Sequence, residues 1–223
     1  MNAPGPSADL RARVLAATRA EPSPTRAARV RRSALVVAAG FAPAVILSSL
    51  IGGPSVDGRP LSYMLALTLA WLLIGTTATW GGVARGPSML GRPSAWKIIV
   101  AVVTPAALVA TAIVAGVAWP ETLGDPASTR AHVVCIALTL VCGLGPLVAF
   151  AFVRRGSDPV SPRLTGAGIG AAAGAWGAVA IELHCGHTSL MHITLGHVAP
   201  VLVLGLLGLI VGDRVVAVRA KNA

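Results

Sequence analysis

The sequence predicts an all-α polytopic membrane protein, a bundle of six transmembrane helices with cytoplasmic N and C termini. Apolar residues make up 55% of the chain, and its mean hydropathy is +0.76. Only 12% of its residues are charged, about half the usual share of a soluble domain. The apolar segments are continuous and long enough to cross a hydrocarbon layer of ~30 Å, unlike the alternating strands of a membrane barrel.

Segments rich in glycine and proline separate the predicted spans, for example GGPSVDGRP and RRGSDPVSPR, and such segments break helices. The domain organisation that follows is a cytoplasmic arm over residues 1–32, a six-helix domain over 33–211 and a basic tail over 212–223. The predicted spans are 33–51, 61–83, 98–118, 132–153, 164–182 and 193–211. No cleavable signal peptide is evident, because the first span follows a basic arm and further spans come after it.

The basic residues predict the orientation of the bundle. The chain has 18 lysines and arginines and a net charge of +10. All of them except Arg59 and Arg130 lie in the arm, the tail and the two loops that face the same side. This asymmetry places both termini in the cytoplasm, and it explains the positive charge without nucleic acid.

Glycines recur every fourth residue in the last two spans. Gly166, Gly170 and Gly174 form one series, and Gly208 and Gly212 form another. Small residues let helix backbones approach closely, so we expect these two spans to pack inside the bundle. Tight packing explains the pattern more simply than a sliding signalling helix.

Reactive side chains concentrate in ELHCGHTSLMHITLGH, residues 182–197, between the fifth and sixth spans. Thiolates and imidazoles are the ligands of zinc and copper(I), so a site of three or four ligands is predicted at the outer face. Residues five apart turn by about 140° on an α-helix, so His187, His192 and His197 are not expected to share one face. The candidate metal ligands are His184, Cys185, His187, His192, His132 and Cys135. Interfacial polarity without a tight site, and redox chemistry, remain alternatives.

The cysteine spacing limits the disulfides. Cys135 and Cys142 are seven residues apart on one predicted helix, about 10.5 Å between Cα atoms, which is too far for a bridge. Cys185 with Cys135 is the plausible redox pair, and an inert buried thiol is the preferred interpretation of Cys142. Glu182 is a candidate ligand or counter-charge. His197 is expected to bond a neighbouring helix or to fill a kink near Pro200.

The arm contains a short amphipathic pattern. Its candidate partner-binding residues are Leu10, Arg11, Arg13, Val14 and Leu15. Such a helix lies on anionic lipid or docks in the groove of a partner.

The chain resembles the NrsF-type negative regulators of extracytoplasmic-function (ECF) sigma factors. The resemblance covers nearly the whole length: a short arm, six spans with short loops, and LHC at Leu183–Cys185 before a glycine-rich last helix. It implies an anti-sigma factor of the bacterial inner membrane that holds an ECF sigma factor until an outer-face metal or oxidant releases it. It also implies a sensing role for Cys185, with Cys135 or Cys142 as its partner, of which helix geometry favours Cys135. Family members usually read LHCP, whereas Gly186 follows Cys185 here.

The expected partners are an ECF sigma factor and the lipid bilayer, without direct contact to nucleic acid and with a homo-oligomer left open. Zinc or copper is the expected ion. The alternative function is a metal-binding or metal-transporting inner-membrane protein, but transport expects ionisable ligands near the midplane, and the sequence has almost none there. No catalytic motif is evident, so an enzyme is not expected.

Overall fold

The computed structural model describes residues 25–52, 59–84, 92–122, 127–158 and 160–217. Within these ranges the chain is helical and contains no β-strand, which confirms the predicted all-α class. Six helices are long and apolar enough to cross a membrane. They are α1 (Arg26–Ile51), α2 (Leu61–Val83), α3 (Ser94–Ala118), α4 (Thr129–Val153), α5 (Pro162–Glu182) and α6 (Leu190–Val216).

The chain divides into two units, Met1–Ala34 and Leu35–Ala223. In the first unit the description begins at Thr25, whose Oγ1 accepts a hydrogen bond from the backbone N–H of Ala28 at 3.2 Å. The helix that follows is largely exposed up to Ala34.

Several helices begin before the apolar segment that predicts them. Ser128 caps α4, where its hydroxyl accepts a hydrogen bond from the N–H of Ala131 at 3.2 Å. Pro162 occupies the first turn of α5, a position where its missing N–H costs nothing. The polar first turns of α4 and α5 are therefore part of the helix, although the hydropathy of the sequence does not show where these helices begin.

The surface of the bundle is apolar. Large hydrophobic side chains on α2, α3, α4 and α6 are exposed, among them Leu69, Val102, Val148 and Leu206. A soluble protein rarely exposes apolar area on this scale. The outward faces therefore suit lipid, and the chain is a multi-pass membrane protein.

Helix α5 lies at the centre of the bundle. Of the 18-residue stretch of α5 that is apolar enough to span a membrane, 94% is buried. The helix approaches α6 so closely that a Cβ added to Gly170 would lie 2.0 Å from the carbonyl oxygen of Leu204. Only glycine fits there. The predicted packing of α5 is thus observed, whereas α6 buries one side and exposes Leu202, Leu206 and Ile210 on the other.

The two ends of the bundle differ. We call the end where α4 and α6 begin and α5 ends the cysteine end. At the opposite end, buried Lys97 forms an ion pair with buried Asp158 in the loop between α4 and α5. That loop also pairs with the end of α6, where the N–H of Ser157 donates to the carbonyl of Val216 at 2.9 Å.

Candidate functional site

Two cysteines and two histidines converge at the cysteine end. One ligand atom from each of Cys135, Cys185, His192 and His197 lies within 4.8 Å of the others. We call these four residues the tetrad. Both histidines are fully buried, and the cysteines are 8% and 7% exposed.

Two elements bring the thiols together. Cys135 lies less than two turns into α4, and Cys185 follows the end of α5, where its backbone N–H donates to the carbonyl of Ile181 at 2.8 Å. Their Sγ atoms are 3.7 Å apart, and both thiols are free. The Sγ of Cys185 also lies 3.2 Å from Nε2 of His192.

His192 and His197 share a face, contrary to the prediction from α-helical spacing. Residues Ile193–Val198 form a π-helical turn, in which the N–H of Ala199 donates to the carbonyl of Thr194. Because a π-turn takes up more residues than an α-turn, side chains five apart come to lie on the same side of the helix. The two ring centroids are 5.3 Å apart, and His197, absent from the predicted ligand set, joins the tetrad.

Pro200 supplies a sequence cause for this turn. It has no N–H to donate to the carbonyl of Gly196, four residues earlier, so the α-helical bond cannot form there. The hydroxyl of Thr139 on α4 donates to that carbonyl instead, at 3.0 Å. Of the two expectations for His197, a bond to a neighbouring helix is the one observed, through Glu182 of α5, whereas Thr139 and not His197 donates to the freed carbonyl.

Glu182 orients His197 from outside the tetrad. Its Oε2 lies 3.1 Å from Nδ1 of His197, and its Oε1 lies 3.4 Å from Nη1 of Arg59. A proton on Nδ1 satisfies the carboxylate, and a neutral ring of that tautomer would carry its lone pair on Nε2. A carboxylate behind a ligating histidine is the usual outer partner of metal sites. Glu182 thus reaches the tetrad through His197 and is not one of its four residues.

The other three predicted histidines lie outside the tetrad. His184 does not join it, because its Nδ1 lies 2.7 Å from the carbonyl of Ala180 and its Nε2 lies 3.1 Å from the hydroxyl of Ser48. The rings of His132 and His187 flank His192, with centroids 4.8 and 5.0 Å from it. Burial lowers the pKa of His187, and the neighbouring imidazoles lower it further.

The tetrad fits a tetrahedral metal ion. Two thiolates bound to one zinc ion lie about 3.8 Å apart, close to the observed 3.7 Å. The Nε2 of His197 is buried and has no hydrogen-bond partner among the described residues. The Cys135 thiol and burial raise the pKa of Cys185, against the opposing effect of His192 and His197. A bound ion would therefore displace a proton from Cys185.

A cavity of about 300 Å³ reaches the two thiols. Cys135, Cys185 and His187 line it together with side chains of α1 and α4. Cys142 lines a different, apolar groove beside Pro43 and Leu138. The predicted partner-binding residues of the arm, Leu10, Arg11, Arg13, Val14 and Leu15, lie outside the described residues.

Sequence reasoning named Glu182 as a possible counter-charge, but it missed two features: the place of His197 in the tetrad and the contact of Thr139. The pattern His192–His197–Pro200 was the available signal for the first, because proline in a helix frees a carbonyl and permits a π-turn. Nothing in the sequence pointed to Thr139, which acts across a helix interface.

The chain was compared with protein-family models, curated proteins and solved structures. No curated protein and no solved structure matches it. The family model described as negative regulator of sigma F matches residues 16–217. That description names a class of regulators and not a class of enzymes. The chain belongs to the NrsF family of negative regulators of sigma F.

Proposed function

We propose that this protein is a membrane-embedded anti-sigma factor that binds an ECF sigma factor and releases it when the tetrad binds a metal ion from the outer face. The family match supports the regulatory part. The observation that carries the sensing part is the convergence of Cys135, Cys185, His192 and His197 in one buried cluster.

The proposed ion is zinc or copper(I). Two sulfur and two imidazole ligands suit both, and the spacing of the thiols suits tetrahedral zinc. Four protein ligands leave no open coordination position, which is typical of structural zinc sites rather than catalytic ones. The tetrad also lies within about two helical turns of the ends of α4 and α6, as a sensor at one membrane face requires and a transport site at the midplane does not.

Orientation and location complete the proposal. In the predicted topology, 16 of the 18 basic residues fall on the side of the termini, which supports a cytoplasmic arm and an outward-facing cysteine end in a bacterial inner membrane. The sigma factor would bind on the cytoplasmic side, through residues 1–32. An oxidant is the second signal, because a disulfide between Cys135 and Cys185 needs the thiols to approach from 3.7 Å to about 2.05 Å.

The packing of α5 offers a route for the signal. One end of α5 carries Glu182 next to the tetrad. At its other end, the hydroxyl of Thr165 donates a hydrogen bond to Asp158 of the Lys97–Asp158 pair. A ligand shifts such an assembly only by its different affinity for two arrangements. Metal binding at the cysteine end would select one packing of α5 against α6, and the arm would change its hold on the sigma factor.

The test uses the full chain purified with its sigma factor in detergent. Adding Zn²⁺ should release the sigma factor from the wild type, but not from Cys135→Ser or Cys185→Ser. Cys142→Ser is the matched control on the same helix as Cys135 and should behave as the wild type. Equal release from all three variants would contradict sensing by the tetrad. Alkylation of free thiols after diamide treatment separates the oxidant response from the metal response.

A second experiment tests the arm. Deleting residues 1–24 leaves α1 intact and should abolish co-purification of the sigma factor. The triple change Leu10→Ala, Val14→Ala and Leu15→Ala should do the same, and Arg11→Gln with Arg13→Gln should also weaken co-purification of the sigma factor. Retention of the sigma factor by the deletion variant would place its binding site elsewhere.

A further inference from the structure

We propose that His132 and His187 form a capture site that takes a divalent borderline cation from water and passes it to the tetrad through His192. This inference rests on the proposed metal binding by the tetrad. It assigns the two steps to different residues: His132 and His187 bind the ion first, and the tetrad then holds it.

The need for such a site follows from burial. The four tetrad residues are between 0% and 8% exposed. A hydrated cation loses its water only as replacement ligands become available, because an ion without ligands in an apolar interior is very costly. Ligands that lie between water and the tetrad would supply that exchange one step at a time.

His132 is prepared for this role by its hydrogen bonds. Its Nδ1 lies 2.9 Å from the carbonyl oxygen of Ser128, and a carbonyl only accepts, so Nδ1 carries the proton. The lone pair is then on Nε2, which is buried and has no hydrogen-bond partner within the described parts of the chain. The ring stands 4.8 Å from that of His192. An unsatisfied lone pair next to a tetrad ligand is a candidate donor to a metal ion.

His187 connects the cluster to water. It is exposed, and it lines the cavity of about 300 Å³ that also contains Cys135 and Cys185. Its ring centroid is 5.0 Å from that of His192. His187 therefore combines access to solvent with contact to a buried ligand.

His192 is a member of the tetrad and also contacts the two histidines of the proposed capture site. Its Nε2 faces the Sγ of Cys185 at 3.2 Å, while its Nδ1 is buried and unpartnered in the described structure. His187 and His132 would replace water ligands of the ion, and His192 would then draw it to the tetrad. Cys135 and Cys185 would each release one proton to water on binding, so two protons leave for each divalent ion bound. Neutral imidazoles need no such proton loss, which suits them to the first step.

His184 provides the matched comparison. It lies in the same loop as His187, but the carbonyl of Ala180 and the hydroxyl of Ser48 satisfy both of its ring nitrogens. It has the same chemistry as His132 and His187 without a lone pair to offer. A variant at His184 therefore controls for the loss of a loop imidazole.

The experiment follows Co²⁺ binding to the full chain in detergent, with the thiolate-to-cobalt absorption band as the report of arrival at the tetrad. Variants are His132→Ala, His187→Ala, the double variant and His184→Ala as control. In the double variant, both binding and chelator-driven loss of Co²⁺ should slow by about tenfold, which corresponds to ~1.4 kcal/mol of barrier. The dissociation constant should change by less than about threefold, or ~0.7 kcal/mol, with one ion per chain throughout.

Other outcomes separate the alternatives. Unchanged rates in the double variant would overturn the capture site while leaving metal binding by the tetrad intact. A weaker dissociation constant with faster loss of Co²⁺ would make His132 and His187 resting ligands and would also overturn it. Two ions in the wild type and one in the double variant would show a separate second site, again against the proposal. A wild type that binds no Co²⁺ would contradict both this inference and the metal-sensing function.

Discussion

The Nδ1 atom of His197 lies 3.1 Å from Oε2 of Glu182, and the two side chains are 0% and 5% exposed. Glu182 in turn contacts Arg59, so a positive group, a negative group and an imidazole follow one another toward the tetrad. This arrangement fixes which nitrogen of His197 faces the thiols. It also occupies both carboxylate oxygens of Glu182, one with His197 and the other with Arg59.

Changing Glu182→Gln should weaken Zn²⁺ binding by about tenfold, within the usual range for outer partners of ligating histidines. The amide keeps the size of the side chain but loses the charge that holds the Nδ1 proton of His197. The measurement is competition with a chromophoric chelator, next to thermal unfolding of the metal-free protein. An unchanged affinity in a normally folded variant would remove Glu182 from the site.

Changing Pro200→Ala should separate His192 from His197. Alanine restores an N–H that can bond the carbonyl of Gly196 and is favoured over proline in a helix by ~3 kcal/mol, so the π-turn should relax to an α-helix. We expect Zn²⁺ affinity to fall at least about tenfold, the loss of one ligand's orientation, without a lower unfolding temperature. Pro43→Ala, inside α1, is the control and should keep the affinity.

Changing Thr139→Val should destabilise the junction of α4 and α6. Valine leaves the carbonyl of Gly196 without the donor that replaces the missing N–H of Pro200. An unsatisfied buried polar group costs ~1–3 kcal/mol. Unfolding in SDS-containing micelles measures the loss, and Thr139→Ser should recover most of it. Equal stability of the valine and serine variants would argue against this role.

Changing Gly170→Ala should disrupt the packing of α5 against α6, since the new Cβ would lie 2.0 Å from the Leu204 carbonyl oxygen. Overpacking of this kind costs ~1–3 kcal/mol. Gly145→Ala is the matched control, because a Cβ there meets nothing within 4 Å, and it should leave stability unchanged or raise it by up to ~1 kcal/mol. Similar melting of the two variants would show that close approach is not required.

Acid should weaken the opposite end of the bundle through Asp158. Burial raises the pKa of this carboxyl, but hydrogen bonds from Lys97 and Thr165 outweigh it and lower the pKa from 3.8 to about 2. Because the folded pKa is the lower one, the stabilisation is complete above about pH 5 and is lost as the pH falls through 4 toward 2, with a loss of ~1–2 kcal/mol.

The check is the slope of unfolding free energy between pH 5 and pH 2. Asp158→Asn should flatten the slope, whereas Asp213→Asn, which removes an exposed pair with Arg163, should leave it nearly unchanged. Parallel slopes for the wild type and Asp158→Asn would contradict the assignment.

The six spans were predictable because each is a long apolar segment closed by breakers. The close packing of α5 was predictable too, since Gly166, Gly170 and Gly174 let a neighbouring backbone approach. Helix starts were less so: α4 begins at Thr129, where the cap at Ser128 rather than hydropathy sets the boundary.

The site was predictable in kind but not in membership. Cys135, Cys185 and His192 followed from ligand chemistry and from the topology that brings two loops to one end. His197 did not, because periodicity assumes α-helical turns and Pro200 changes the turn locally. His184 shows the reverse error, since its hydrogen bonds to Ser48 and Ala180 use up the capacity that the sequence offered to a metal.

The π-turn at Ile193–Val198 has a use beyond this protein. Scans for metal sites on helices look for ligands three or four residues apart, and they pass over a pair separated by five. Here the amide hydrogen that Pro200 lacks accompanies a π-turn that brings His192 and His197 to one side of the helix. The pattern of two ligands five residues apart, followed three residues later by proline, is therefore worth seeking in other membrane helices, and it offers designers a compact way to install a soft-metal centre.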